Sequence, residues 1–291
     1  SSVRPPRLGK AGSSVSLLLL SLCFVLSGFA ALVYQTAWTR QFGLVFGTSE
    51  LAVATVLAAY MGGLALGAAL VERLLPRITR PVLAYAVLEL GIAVSAVVIV
   101  PALVAGSRWL LVAGFGGQAA PPSSEQFGTS LFYLAGAFVA LVIPTTLMGA
   151  TLPLLARHAV RDRTQIGRRI GLLYASNTAG AVAGALGTAF LLLPALGLTR
   201  SIWVGAAFNV VVFLLAAWLV QRERGAADAS RPAPAAHPAA PREVHAGFRI
   251  GLSPGPGWVL PLMLLSGAVS FIHEVLWTRM LAQVVRSSIY D

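Results

Sequence analysis

The carboxylate of Glu89 is the side chain in this sequence best placed to do chemistry. It stands inside an apolar run, in Leu88-Glu89-Leu90-Gly91, where an ionised group is costly and faces neighbouring helices rather than lipid. In that setting it either binds a proton or a cationic substrate, or it bonds a hydroxyl, amide or arginine of an adjacent helix. Tyr34, Gln35, Asn177 and Asn209 are further polar groups inside apolar runs. Each can serve as a hydrogen-bonding link between helices or as a ligand contact. His273 and Glu274 complete the set of candidate substrate-binding residues with Glu89, Tyr34, Gln35 and Asn177. The motifs of soluble enzymes are missing: there is no HExxH, no GxSxG and only one cysteine. Gly114–Gly117 (GFGG) has no strand before it and no helix after it, so it is not a phosphate loop. The four histidines are too scattered for a metal site, and neither a metal nor a cofactor is expected in this chain.

His273-Glu274 matters because of where it falls. Ser266–Ser288 (SGAVSFIHEVLWTRMLAQVVRSS) repeats Ser27–Ser49 (SGFAALVYQTAWTRQFGLVFGTS), with identical Ser-Gly and Trp-Thr-Arg at matched positions. His273-Glu274 replaces Tyr34-Gln35 in the second copy, so any site built on the motif is asymmetric. A repeat at this distance means that the first helix of one bundle returns as the first helix of another. Trp38-Thr39-Arg40 and Trp277-Thr278-Arg279 then fall at helix ends, as interface anchors or as a pair around a pseudo-two-fold axis.

The elements that carry these residues are membrane helices. Charged residues are 11% of the 291 residues against about a quarter in a soluble domain, and mean hydropathy is +0.81. A spanning helix needs about 20 mostly apolar residues. Six runs meet that length: Ser14–Thr36, Leu51–Val71, Val82–Val104, Thr129–Leu155, Ile170–Leu193 and Ser201–Val220, and a seventh starts near Trp258. The net charge of +11 sits in the loops between them, which excludes a nucleic-acid surface and favours a lipid bilayer as partner. Arg4, Arg7, Lys10 and the groups Arg73–Arg80, Arg157–Arg169 and Arg222–Arg249 share one side. Arg40, Arg108, Arg200, Arg279 and Arg286 share the other. The positive-inside rule makes the first side cytoplasmic. The first run has signal-peptide features, but its motif recurs deep in the chain, so it is expected to be retained.

The resulting layout is an all-α polytopic membrane protein with six spans plus the first span of a parallel second repeat, as in major facilitator transporters. A cytoplasmic tail covers 1–13, a six-span bundle 14–220, and a disordered cytoplasmic Pro/Ala-rich linker 221–257. The truncated start of the second repeat covers 258–291. Residues 105–128 read as an exoplasmic loop, and the Arg157–Arg169 loop as a topology signal or a contact for anionic lipid. Gly63-x-x-x-Gly67 and Gly180-x-x-x-Gly184 are expected at close helix crossings. Pro144, Gly149 and Pro153 are expected to interrupt the fourth helix.

Five blocks, SGFAALVYQTAWTR, ATVLAAYMGGLALGAAL, LELGIA, PTTLMGATLPLLAR and GLLYASNTAGAVAGALGTAFLLLPALG, lie in this order in the chain. Together they resemble the membrane region of bacterial spermidine-synthase-like proteins, which join a major-facilitator-like domain to an aminopropyltransferase-like domain. The resemblance implies a bacterial inner-membrane location and a fused or associated soluble synthase domain. It also implies decarboxylated S-adenosylmethionine as co-substrate, if such a domain follows. It transfers no catalytic residue to this chain, because that domain lies C-terminal to the membrane region. Gly67–Arg77 has only a loose likeness to the acidic-basic loop of major facilitator carriers. The alternatives are a major-facilitator-type secondary transporter of a small cationic solute and a structural membrane scaffold.

Overall fold

A computed structural model describes residues 10–46, 50–114, 127–159, 166–229 and 257–287. Among these residues all regular structure is helical. The chain divides into two compact units, 1–229 and 230–291. Most of the N-terminal tail, the middle of the 105–128 segment, part of the Arg157–Arg169 loop and most of the proline-rich linker lie outside the described residues.

The first unit opens with α1 (Lys10–Phe46) and α2 (Glu50–Leu74). A short 3₁₀ turn, Leu75–Arg77, follows, and α3 (Pro81–Val94) begins on a proline. Proline suits the first turn of a helix because its missing N–H has no intrahelical partner there. One π-helical turn, Ser95–Ile99, joins α3 to α4 (Val100–Gly114). Then come α5 (Phe127–Ala159), α6 (Ile166–Gly187), a second π turn at Thr188–Leu192, and α7 (Leu193–Ala229). Helix therefore extends through Gly114 and Ala229, into the segments read from sequence as loop and linker. The second unit holds α8 (Val259–Ser287), whose apolar part is Pro261–Trp277. Both copies of the repeated motif are thus helical over the described residues.

Five helical stretches among the described residues are long and apolar enough to cross a membrane: Ser16–Gly43, Val56–Arg77, Pro81–Gly106, Ala135–Ala156 and Gly167–Gly225. They make this a multi-pass membrane protein suited to a lipid bilayer. The fifth stretch runs for 59 residues and leaves helical geometry at Gly197, where φ is +73°. That left-handed backbone is readily adopted by glycine alone.

Glycine also sets the two closest crossings. α1 packs on α6 and α2 packs on α5. A methyl at Gly28 would overlap the backbone carbonyl of Asn177, at Gly180 that of Val25, and at Gly184 that of Phe29. On the other crossing, a methyl at Gly63 would strike the Thr145 hydroxyl, at Gly67 the Thr146 carbonyl, and at Gly149 the Leu64 carbonyl. Both GxxxG patterns therefore let two backbones meet, the reason such spacing favours helix association in lipid.

The expected break in the fourth helix does not occur. α5 is continuous through Pro144 and Pro153. Hydroxyl groups support the backbone around the prolines: Thr145 Oγ1 donates to the Leu141 carbonyl (2.6 Å) and Thr151 Oγ1 to that of Met148 (2.7 Å). Neither bond reaches the Ala140 or Gly149 carbonyl, the two that Pro144 and Pro153 leave without an N–H donor, so packing on neighbouring helices is what keeps α5 continuous.

Two apolar layers fill the first unit. One gathers Tyr34, Trp38, Phe42, Tyr60, Ile92, Val100, Leu141 and Ile202; the other gathers Leu20, Phe24, Val82, Tyr85, Leu154, Val212 and Leu219. Cys23 lies in the second layer and is buried. A buried thiol in apolar packing is inert. In the folded protein it should resist a water-soluble maleimide, and it should react fully once SDS has unfolded the bundle. Rapid labelling of the native protein would contradict this packing.

Candidate functional site

Between the two apolar layers lies a polar one. On α1 the second layer ends near Leu26 and the first begins at Ala30; on α3 the boundary falls between Leu88 and Ile92; on α7 it falls between Phe208 and Val212. Ser27, Glu89 and Asn209 occupy those three boundaries. α7 packs against both α1 and α3, which brings the three side chains together from residues 62 and 120 positions apart.

Glu89 is fully buried. Ser27 Oγ donates to its Oε1 at 2.7 Å, and Asn209 Nδ2 donates to its Oε2 at 2.5 Å. The same amide accepts through Oδ1 from the Tyr34 hydroxyl at 2.8 Å. Ser27, Glu89, Asn209 and Tyr34 thus form one chain of hydrogen bonds across three helices. Tyr85, one turn before Glu89 on α3, brings a fully buried hydroxyl next to Glu89 and Ser27 without a hydrogen bond of regular geometry to either. Among the described residues, no Lys, Arg or His pairs with Glu89.

The aromatic side of the site is built by α1 and its neighbours. Tyr34 stacks on Trp38 at 5.1 Å between ring centroids. Gly205 on α7 gives that tyrosine room, since a Cβ there would come within 2.9 Å of its ring. Tyr60 on α2 donates to the Ala31 carbonyl at 3.0 Å and meets the Met148 sulfur at 3.4 Å. Trp38 is completely buried, so it is a core residue and not an interface anchor. Four residues separate it from Tyr34, which puts both on one helix face, and that face is turned inward. Arg40 is exposed, as an anchor would be.

Of the candidate residues read from sequence, Glu89 and Tyr34 meet in this cluster. Gln35 lies one position around α1; its carbonyl accepts from Thr39 Oγ1 at 2.8 Å, and its side chain does not join the chain of bonds. Asn177 sits at the α1–α6 crossing, its backbone carbonyl against Gly28. His273 Nδ1 contacts the Val269 carbonyl within α8 at 2.9 Å, and Glu274 belongs to the same helix of the second unit. Among the described residues, no group of three or more His, Cys, Asp or Glu is placed to hold a metal.

Sequence reading passed over Ser27 and Tyr85 as site residues, and took Asn209 as one polar group among several. A signal for two of them was available. Ser27 and Tyr34 are seven residues apart, and Tyr85 and Glu89 four, which are the spacings of one helix face. The partner helix was not readable from spacing, because it depends on how α7 docks. Comparison with protein-family models, with curated proteins and with solved structures finds no match for this chain.

Proposed function

We propose that this chain is the integral membrane domain of a spermidine-synthase-like membrane protein, anchoring or serving an aminopropyltransferase-like domain. The observation that carries the proposal is where the five resembling blocks fall. SGFAALVYQTAWTR and GLLYASNTAGAVAGALGTAFLLLPALG hold the glycines of the α1–α6 crossing. ATVLAAYMGGLALGAAL and PTTLMGATLPLLAR hold those of the α2–α5 crossing, and LELGIA holds Glu89. The likeness is therefore concentrated in contacts that define a bundle, which favours a shared architecture over shared composition.

In this reading the bundle has six spans and α8 opens a parallel second repeat. A 59-residue helix would be roughly 90 Å long at 1.5 Å per residue, about three times the hydrocarbon thickness. That length favours two crossings over one, divided at Gly197, where the backbone leaves helical geometry. The arginine distribution favours a cytoplasmic N-terminus in a bacterial inner membrane. A second reading, a secondary transporter of a small cation, is favoured by the enclosed carboxylate of Glu89 at the middle of the bundle.

The two readings separate in membranes from cells that express this protein with the soluble domain proposed for it. Aminopropyl transfer from decarboxylated S-adenosylmethionine to putrescine is expected there, and none is expected in matched membranes that hold neither. Correctly inserted full-length protein without any transfer would contradict the synthase assignment. Polyamine uptake abolished by Glu89→Gln would then establish the carrier.

A further inference from the structure

The polar layer surrounds one buried carboxyl group with hydrogen-bond donors. A carboxylate has two oxygens and accepts only. Ser27 and Asn209 each supply a hydrogen to one of them, and the unpartnered hydroxyl of Tyr85 stands beside the same group, fully buried. The other titratable groups near this carboxylate are Cys23 and Tyr34 on α1, neither of which carries a positive charge in any form. The membrane-embedded part of α5 (Ala135–Ala156) and that of α7 near Asn209 bring no charged side chain to it. Among the described residues, Glu89 therefore has donors around it and no positive partner.

We infer that Glu89 is a reversible proton-binding site, with Ser27 as the group that lets the cluster hold either form. In the charged form, Ser27 and Asn209 donate to the carboxylate and Tyr85 is positioned to add a third donor. On protonation, one proton from water forms an O–H bond on Oε1. That O–H donates to Ser27 Oγ, and the serine hydroxyl turns to the backbone carbonyl four residues back, that of Cys23, an acceptor helical serines commonly use. Oε2 becomes the carbonyl oxygen and keeps its bond from Asn209. Ser27, Glu89 and Asn209 keep partners in both forms, and only one hydroxyl rotates.

The same geometry argues against a metal ion or an ammonium group at this place. Either would need room beside the carboxyl, whereas Glu89 is completely enclosed and both of its oxygens already hold protein donors. A proton needs neither space nor a new acceptor set. The inference leaves the first reading untouched and narrows the second to a carrier in which Glu89 holds the proton and not the transported cation.

Infrared difference spectroscopy of the full chain in lipid nanodiscs, titrated from acid to alkaline pH, tests it. Subtracting the Glu89→Gln spectrum isolates this residue from the other acidic groups, 10 Asp and Glu in all. The expected result is a protonated-carboxyl C=O band that is present in acid, lost reversibly in alkali and absent from Glu89→Gln. In Asn209→Ala the band should move to higher frequency, because the carbonyl oxygen has lost its donor. That shift reports on the site even if Glu89→Gln does not fold. A wild-type spectrum without a Glu89 carboxyl band at any pH, or with one that never titrates, would overturn the proposal. An unmoved band in Asn209→Ala would overturn the bonding arrangement.

Discussion

Gly180→Ala should destabilise the bundle by about 1–3 kcal/mol, the usual effect of forcing an extra methyl into a packed interior, and Gly180→Leu should prevent α1 and α6 from closing at all. The added Cβ would overlap the carbonyl of Val25, a backbone atom that cannot rotate away. Relief requires separating the two helices, and Gly28 and Gly184 on the same crossing would lose their contacts as well. In lipid there is no hydrophobic gain to hold separated helices near each other, so close packing carries most of the association. Gly171→Ala is the control on the same helix. Nothing lies within 4 Å of a Cβ at that site, and alanine is favoured over glycine in a helix by up to about 1 kcal/mol. SDS-induced unfolding followed by circular dichroism distinguishes the two. Equal curves for wild type and Gly180→Ala would show that the crossing is looser than described.

Asn209→Leu should cost about 1–3 kcal/mol in the same assay. Leucine has the branched four-heavy-atom side chain of asparagine without its polar atoms, so lost bonding is the main effect, with some overpacking from the two methyls. Glu89 Oε2 loses its donor and the Tyr34 hydroxyl loses its acceptor, and a buried polar group left unsatisfied carries its full desolvation penalty. Neutral interhelical hydrogen bonds in membranes average only about 0.6 kcal/mol. The larger figure expected here reflects two partners stranded by one substitution. Tyr34→Phe strands only the amide oxygen and should cost less. The double variant should be less damaging than the sum, because both changes break one shared bond. Strict additivity would mean that Tyr34 and Asn209 do not act together.

Much of the architecture was legible because lipid imposes simple rules. Length and hydropathy alone located the helices, and the GxxxG spacings pointed to crossings where glycine carries the packing. Glu89 stood out because a carboxylate in an apolar run is costly wherever it faces. What spacing could not supply was the docking of α7, which turns Asn209 from one polar residue among several into the bridge between Glu89 and Tyr34. Trp38 went astray for a related reason. Tryptophan near a helix end is an interface anchor by habit, but α1 continues to Phe46, and the Tyr34–Trp38 face is buried against its neighbours. The prolines of α5 misled because they were read as the interruptions that line binding sites in transporters, whereas each removes one intrahelical bond and packing on neighbouring helices holds the rest of α5 in place.

The six-span layout is tested most directly by reporter fusions in cells, joined at the N-terminus, near Gly197 and after Ala229. Alkaline phosphatase is active only outside the cytoplasmic membrane and a fluorescent protein folds well only inside. The account predicts cytoplasmic signals at the N-terminus and after Ala229, with an exoplasmic signal near Gly197, since an even number of crossings precedes Ala229. Signals on opposite sides for the N-terminus and Ala229, with no exoplasmic signal near Gly197, would mean that Gly167–Gly225 does not cross twice, and the bundle with its parallel repeat would have to be abandoned.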